Sequence, residues 1–410
     1  MLDHELSRFL LSLVLLLSFA LSIGHVFSFL GLPRVVGEIC AGLVLGPSLL
    51  GLFAPSLFNW IFAGFPEQGK LLSAFYWLGL IFLMFTAGFK VSTKLAEGDR
   101  RLVFMLIAGG IVLPFLFGLL ATNWIPNAMA ANPIAFALVI ATASAVTSIP
   151  VLTRIFLDLE MLSGRFAQVV LSAAAVQDLI LWIALSIALA VQQGPAESSS
   201  NFSDIASVVA GTLFFGAVAL FLFPVTLRYA GRIMLKDSPD ASLVGYTLLA
   251  CLILVSIASV LHVNIVFAAL LAGVAIGRIP GARLDPVKQN IANLAVWFFV
   301  PIYFALVGLQ MDIPGNFDPM LIFGFLVASS VVKVASVVLF TRLAEVPWGK
   351  ALDFGVTMNA RGGPGIVLAS LAYAARIINE ELFVALVAVS IVSSLIAGIW
   401  LKVRRAPSGT

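Results

Sequence analysis

Charged residues are scarce in this chain. Asp, Glu, Lys and Arg make up 10% of its 410 residues, against about a quarter in a soluble globular protein. So little charge cannot cover a water-facing surface, which excludes the soluble globular class. The net charge of +3 is spread over connecting segments, so a nucleic-acid partner is excluded too. Cysteine is nearly absent: Cys40 and Cys251 lie far apart in apolar runs and read as buried bystander thiols, neither a disulfide framework nor a metal cluster. The three histidines, His4, His25 and His262, fall near the expected outer surface. External pH sensing and incidental placement both fit them. There is no phosphate loop, catalytic triad or metal-ligand spacing, so neither an enzyme nor a cofactor is expected.

What the chain has is apolar length. Hydrophobic residues make up 61% of it and its mean hydropathy is +1.11, the composition of an integral membrane protein, with the lipid bilayer as its first partner. Asp3 and Glu5 precede the first apolar run, where a signal peptide would carry positive charge. That run is read as a first transmembrane helix. Apolar stretches of about 20 residues, cut by Pro, Gly and charge, mark the spans. They fall near 8–30, 34–53, 71–90, 101–121, 132–156, 164–192, 204–228, 241–260, 264–278, 287–311, 318–343, 350–375 and 381–402. The basic residues test this count. Loops after odd-numbered spans, with the C-terminal tail, carry eighteen Lys and Arg, while Arg8, Lys70 and Arg376 alone fall on the other side. That bias predicts thirteen spans with the N-terminus outside and the C-terminus in the cytoplasm.

An all-α polytopic protein of about thirteen helices permits an inverted repeat, spans 1–6 and 8–13 in opposite orientation with span 7 between. Spans 5 and 12 then correspond, and both are helix-breaking: Ala141-Thr142-Ala143-Ser144-Ala145-Val146-Thr147-Ser148-Ile149-Pro150 in one, Met358-Asn359-Ala360-Arg361-Gly362-Gly363-Pro364-Gly365 in the other. Broken helices at matching positions of two halves are the best sequence pointer to a transporter binding site. The embedded charges gather near them. Asp178 is the only charge between Phe166 and Ala196, Lys333 the only one between Asp318 and Arg342, and Arg361 the only one between Asp353 and Arg376. A charge at a helix centre costs at least ~2.5–3.5 kcal/mol, so these three residues are candidates for ion or proton translocation.

Several stretches resemble the monovalent cation:proton antiporters, in the cation:proton antiporter-2 branch that holds the Kef potassium-efflux proteins. Gly31-Leu32-Pro33-Arg34-Val35-Val36-Gly37-Glu38-Ile39-Cys40-Ala41-Gly42-Leu43-Val44-Leu45-Gly46-Pro47 resembles that branch's second-span signature. Thr142 to Arg154 resembles the broken fifth span, and Gln177-Asp178 falls where relatives carry Asp-Asp, Asn-Asp or Gln-Asp. Phe299-Val300-Pro301-Ile302-Tyr303-Phe304-Ala305-Leu306-Val307-Gly308-Leu309 is similar to the tenth-span motif, and Met358-Asn359-Ala360-Arg361-Gly362-Gly363 to the twelfth-span crossover. The resemblance implies a sodium/proton antiporter-like fold with two broken crossing helices. It divides the chain into spans 1–4 (1–121, panel helices 1–3 and a first core helix), core spans 5–6 (122–203), linker span 7 (204–240), panel spans 8–10 (241–317), core spans 11–13 (318–402) and a short cytoplasmic tail (403–410). It further implies a homodimer in a bacterial-type plasma membrane, with elevator-type exchange of Na⁺ or K⁺ for H⁺. Kef proteins continue into a nucleotide-binding domain, so regulation by nucleotide is not expected within these 410 residues.

The chemistry assigns each candidate a part. A carboxylate binds a proton or a bare alkali cation with the same oxygens, so Asp178 is the expected carrier. Thr142, Ser144 and span 5 carbonyls are expected as further oxygens, since hard cations take oxygen ligands. The cation would thus sit on Asp178 and Thr142, and Gln177 could add an amide oxygen. By the resemblance, Lys333 pairs with the ion-binding acid and releases it when the cation arrives. Arg361, which has no realistic neutral form, is expected to stabilise the crossover. Glu38 is either an access-path residue or a structural acid at the headgroup boundary. One titrating carboxylate and one lysine favour 1:1 electroneutral exchange. The competing functions are a gated, channel-like K⁺ efflux pathway and a transport-inactive sensor or partner subunit.

Overall fold

The computed structural model describes residues 3–30, 32–89, 99–125, 132–161, 164–193, 202–234, 240–261, 263–279 and 284–405. Among these residues the secondary structure is helical, with no strand. His262 and several loop cations used in the sidedness count lie outside the described residues.

The helices fall into two compact units, each built from two separate stretches of chain: 1–91 with 206–314, and 92–205 with 315–410. The first unit opens with α1 (Asp3–Phe29), α2 (Arg34–Leu45), α3 (Leu50–Phe53), α4 (Pro55–Phe62) and α5 (Gln68–Phe89). The chain then supplies the second unit with α6 (Arg100–Ala121), α7 (Pro133–Ala145), α8 (Ile149–Asp158) and α9 (Arg165–Gln193). It returns to the first through α10 (Phe202–Ala217), α11 (Phe223–Met234), α12 (Asp240–Val260), α13 (Ile265–Gly277), α14 (Leu284–Leu294) and α15 (Val300–Leu309). π-helical turns at Val218–Leu222 and Ala295–Phe299 make α10–α11 and α14–α15 continuous. After the four-residue α16 (Ile313–Asn316), the second unit closes with α17 (Pro319–Leu343), α18 (Trp348–Met358), α19 (Gly362–Ala374) and α20 (Glu380–Arg405).

Ten of the described helical stretches are long and apolar enough to cross a membrane. The remaining three of the thirteen expected spans have physical reasons to fall short. One is α13, a fully apolar helix of 13 residues. The other two are interrupted: α7 and α8 flank the non-helical Val146, Thr147 and Ser148, and α18 and α19 flank Asn359, Ala360 and Arg361. Pro150 is the second residue of α8 and Pro364 the third of α19, positions where a missing N–H leaves no helical bond unmade. The prolines therefore start new helices and do not kink old ones. Asn132 starts α7 in the same spirit, its Oδ1 accepting from the N–H of Ile134 at 2.9 Å and of Ala135 at 3.2 Å. Asp318 caps α17 likewise, from Met320 and Leu321.

Within the first unit, helices approach to backbone contact. A Cβ on Gly42 would meet the carbonyl of Ala305, and one on Gly308 the carbonyl of Ile39, so α2 and α15 lie against each other. Gly88 of α5 and Gly273 of α13 make the same kind of approach. The Gly42-x-x-x-Gly46 spacing thus packs inside the unit: Gly46 too faces Leu309 of α15. The second unit is centred on apolar side chains of α6, α8, α9, α18 and α20, among them Leu106, Phe156, Val170, Phe354 and Leu401. Phe166 stacks on Phe354 with ring centroids 4.6 Å apart. This core fixes α9, and with it Asp178, against the two broken pairs.

Candidate functional site

The site lies wholly in the second unit and starts from the two breaks. Ser148 donates its N–H to the carbonyl of Ala360 at 2.7 Å, joining one break directly to the other. Gly362 opens α19 with φ of +42°, a conformation L side chains rarely adopt, and a Cβ there would strike Val151 and Ser148. Glycine is therefore required where the two interrupted helices cross. Each break frees carbonyls at the end of one half-helix and N–H groups at the start of the next.

Lys333 takes up the freed carbonyls of α7. It is fully buried on α17, and its Nζ donates to Ala145 O at 2.8 Å, Val146 O at 2.5 Å and Thr147 Oγ1 at 2.8 Å. Three acceptors match the three protons of an ammonium, and a cation is favoured at the negative end of a helix. No ion pair joins Lys333 to Asp178 among the described residues, so in this conformation the lysine is held by the break and not by the acid. Four residues back on α17, Ser329 Oγ accepts from Arg361 Nη2 at 2.8 Å and is itself bonded to the carbonyl of Phe325. Arg361 Nη2 also reaches Asn359 Oδ1 at 3.4 Å. Its Nε and Nη1 are buried without a hydrogen-bond partner among the described residues. One stripe of α17 thus grips both breaks.

Gln177 is a strut. Its Nε2 donates to Leu106 O at 2.9 Å and its Oε1 accepts from Thr147 Oγ1 at 3.0 Å, tying α9 to α6 and to the α7 break. A Cβ on Gly110 would fall on this amide, so the glycine makes room for it. Asp178, the next residue, is partly buried and faces a different space. It lines a small cavity with Thr142, Val146, Leu181, Trp182, Leu185, Pro364 and Leu368. Its Oδ1 is buried with no hydrogen-bond partner among the described residues. Thr142 donates its hydroxyl proton to Leu138 O at 2.7 Å, which leaves oxygen lone pairs for the cavity.

Of the residues expected from sequence, then, Asp178 and Thr142 come together. Ser144 donates to Ile140 O at 2.9 Å, and neither it nor Gln177 lines the cavity. Glu38 lies in the first unit on α2, paired with Arg34 at 3.0 Å, its Oε2 buried and unpartnered among the described residues. Thr147, Trp182 and Ser329 were not anticipated. Thr147 had a signal, being the hydroxyl nearest the proline break. The other two depend on packing that the sequence does not display.

Comparison with known proteins identifies the family and the fold. Residues 13–403 match the family model described as sodium/hydrogen exchanger, transmembrane. The chain belongs to that family. It is 27% identical over 408 residues to cation/H(+) antiporter 18 of Arabidopsis thaliana, covering 96% of this chain and 48% of the relative. It is 27% identical to K(+)/H(+) antiporter 1 of Saccharomyces cerevisiae, over 96% of this chain and 46% of the relative. The chain thus spans about half the length of these two. With Na(+)/H(+) antiporter NhaS4 of Synechocystis it shares 25% identity over 99% of both chains. The fold is that of the sodium proton antiporter MjNhaP1 from Methanocaldococcus jannaschii, with a TM-score of 0.67 at 16% identity, covering 98% of this chain and 97% of that one.

Proposed function

We propose that the chain is a secondary antiporter exchanging a monovalent cation, Na⁺ or K⁺, for H⁺, with Asp178 as carrier. The observation that carries this reading is Oδ1 of Asp178, unpartnered among the described residues, in a small and mostly apolar cavity that it shares with Thr142. A buried carboxylate oxygen without a partner is costly. A proton or a desolvated cation would each relieve that cost, and both need the same oxygens. That competition is the coupling: loading one expels the other. Thr142 Oγ1 supplies a second oxygen to the cation. The walls formed by Leu181, Trp182, Leu185 and Leu368 keep water out and sharpen the contrast between filled and empty carboxylate.

The unit formed by 92–205 and 315–410 would be the mobile core, and the other unit the static panel and homodimer contact. The core would cross the membrane only with the carboxylate covered, as in elevator-type alternating access. A neutral amide at Gln177 leaves one titrating acid in the cavity, which favours 1:1 electroneutral exchange. The bias of basic residues supports an outside N-terminus and a cytoplasmic C-terminus in a bacterial-type plasma membrane. The names of the relatives support both cations.

The test is cation-induced proton flux in proteoliposomes with Na⁺, K⁺, Li⁺ or choline, with Asp178→Asn in parallel. Flux with one or more alkali cations, none with choline, and a fall in the variant to the level of protein-free liposomes is expected. Undiminished flux in Asp178→Asn would move the carrier elsewhere.

A further inference from the structure

Thr147 holds an unusual position among the buried polar groups. Its Oγ1 accepts a hydrogen bond from Lys333 Nζ at 2.8 Å and has one proton of its own to donate, with Gln177 Oε1 at 3.0 Å and Met358 O at 2.9 Å in reach. The hydroxyl thus touches the lysine, the strut beside the carrier acid and the end of α18, the half-helix that precedes the second break. Thr147 does not line the cavity that holds Asp178. Its oxygen is already committed to the ammonium, so it has little left to offer a transported cation.

Lys333 has three donors and three acceptors, one of which is Thr147. The charged groups that act on it are Arg361, at the start of α19, and Asp178, on α9. Arg361 repels it and Asp178 attracts it. Taking away one acceptor leaves a buried ammonium with an unmade hydrogen bond, and the nearby carboxylate is the group that can replace it.

We propose that Thr147 is a positioning residue for Lys333: its hydroxyl keeps the ammonium on the carbonyl end of α7 and off Asp178, so that the carboxylate stays available to the cation. This inference rests on the exchange reading above. Without the hydroxyl, Lys333 becomes an internal competitor for Asp178. The cation must displace it, so the apparent KM rises while the maximal rate changes less. The ammonium competes with the proton for the same oxygens as it does with the cation, so the pH of half-maximal flux falls.

The experiment compares wild type, Thr147→Val, Thr147→Ala and Thr147→Ser in proteoliposomes, reading KM for the cation and the pH profile. A KM raised about tenfold in Thr147→Val, equivalent to about 1.4 kcal/mol, is expected, with an acid shift of the profile and return to wild-type values in Thr147→Ser. Thr147→Ala serves should the valine variant fail to fold. The deciding arm is the same substitution in a Lys333→Met background, read as cation-induced thermal stabilisation of detergent-purified protein, which needs no turnover. A positioning residue has nothing left to position there, so the second substitution should add no loss of cation affinity. An equal loss with and without Lys333 would overturn the proposal and make Thr147 a direct ligand. Wild-type KM and pH profile in Thr147→Val or Thr147→Ala would also overturn it. Wild type without cation-dependent flux would instead remove the exchange reading.

Discussion

Lys333 and Arg361 are both fully buried cations of the second unit, yet their surroundings differ. Lys333 has an acceptor for each of its protons, while Arg361 leaves Nε and Nη1 unpartnered among the described residues. An unmade hydrogen bond at a buried donor costs about 1–3 kcal/mol, so Arg361 holds the second break at some expense. A third charged group lies outside the apolar spans and shows the opposite regime. Asp99, before α6, receives Arg165 Nε at 2.9 Å and also pairs with Nη2 of the same guanidinium. The hydrogen bonds from Arg165 hold the Asp99 carboxyl below its ordinary value, against a smaller opposing effect of burial. A folded-state value below the unfolded one means stability that is fully present above the unfolded value of about 3.9. It is lost as pH falls through the lowered folded value. Arg165 is 79% exposed, so solvent and salt screen the pair. Asp99→Asn should therefore lower Tm slightly at pH 7 and low salt, and the gap should close in high salt and in acid as pH falls through the lowered folded value. Thermal melts of detergent-purified protein across pH check this, and a gap that widens in acid would reverse the assignment.

At the scale of helices, the close approaches in the first unit carry a sharper expectation. Gly308 faces backbone atoms of Ile39 and Gly42, which cannot swing aside as a side-chain end can. Gly308→Leu should force α15 from α2 and cost about 1–3 kcal/mol or more, the range for overpacked cores. Gly324 in α17 has nothing within 4 Å of the place a Cβ would take, so Gly324→Ala should stay within about 0.5 kcal/mol of wild type. Fluorescence-detected gel filtration and thermal melts of the two variants side by side test the contrast. These elements also show what was legible beforehand. Hydropathy placed the long helices because a bilayer demands about 20 apolar residues from each span. Pro150 and Pro364 placed the breaks because a ring without an N–H belongs at a helix start. The partner of Lys333 was not legible. Two of its three acceptors are backbone carbonyls 187–188 residues away, and every residue has a carbonyl, so no residue type marks them. Nor could the type of Gln177 reveal that its amide is spent on Leu106 and Thr147 while the next residue faces the cavity.

At the scale of the molecule, the exchange reading requires that the cavity of Asp178 open to one side of the membrane at a time. The chain is well suited to a direct test, because its two cysteines, Cys40 and Cys251, both fall in the first unit. With both replaced by serine, a single Leu185→Cys places a thiol on the cavity wall, on the same face of α9 as the carboxylate and about two turns along. The experiment reads labelling of right-side-out and inside-out vesicles by a membrane-impermeant maleimide. Alternating access predicts that any one molecule is modified from a single side at a time. Modification from outside should then deplete the pool available from inside at the rate of turnover, and slow when protons or cations are withdrawn, since an uncovered carboxylate does not cross. A gated channel predicts otherwise: when open, the thiol answers reagent from either side without waiting for a crossing. When it is closed, adding protons or cations changes neither rate in proportion to flux. Parallel dependence of labelling and flux on cation concentration would tie a moving unit to the carboxylate, because the exchange reading requires Asp178 to be filled before the unit crosses. Labelling that is fast from both sides at once and indifferent to the cation would leave Asp178 a structural acid in a pore.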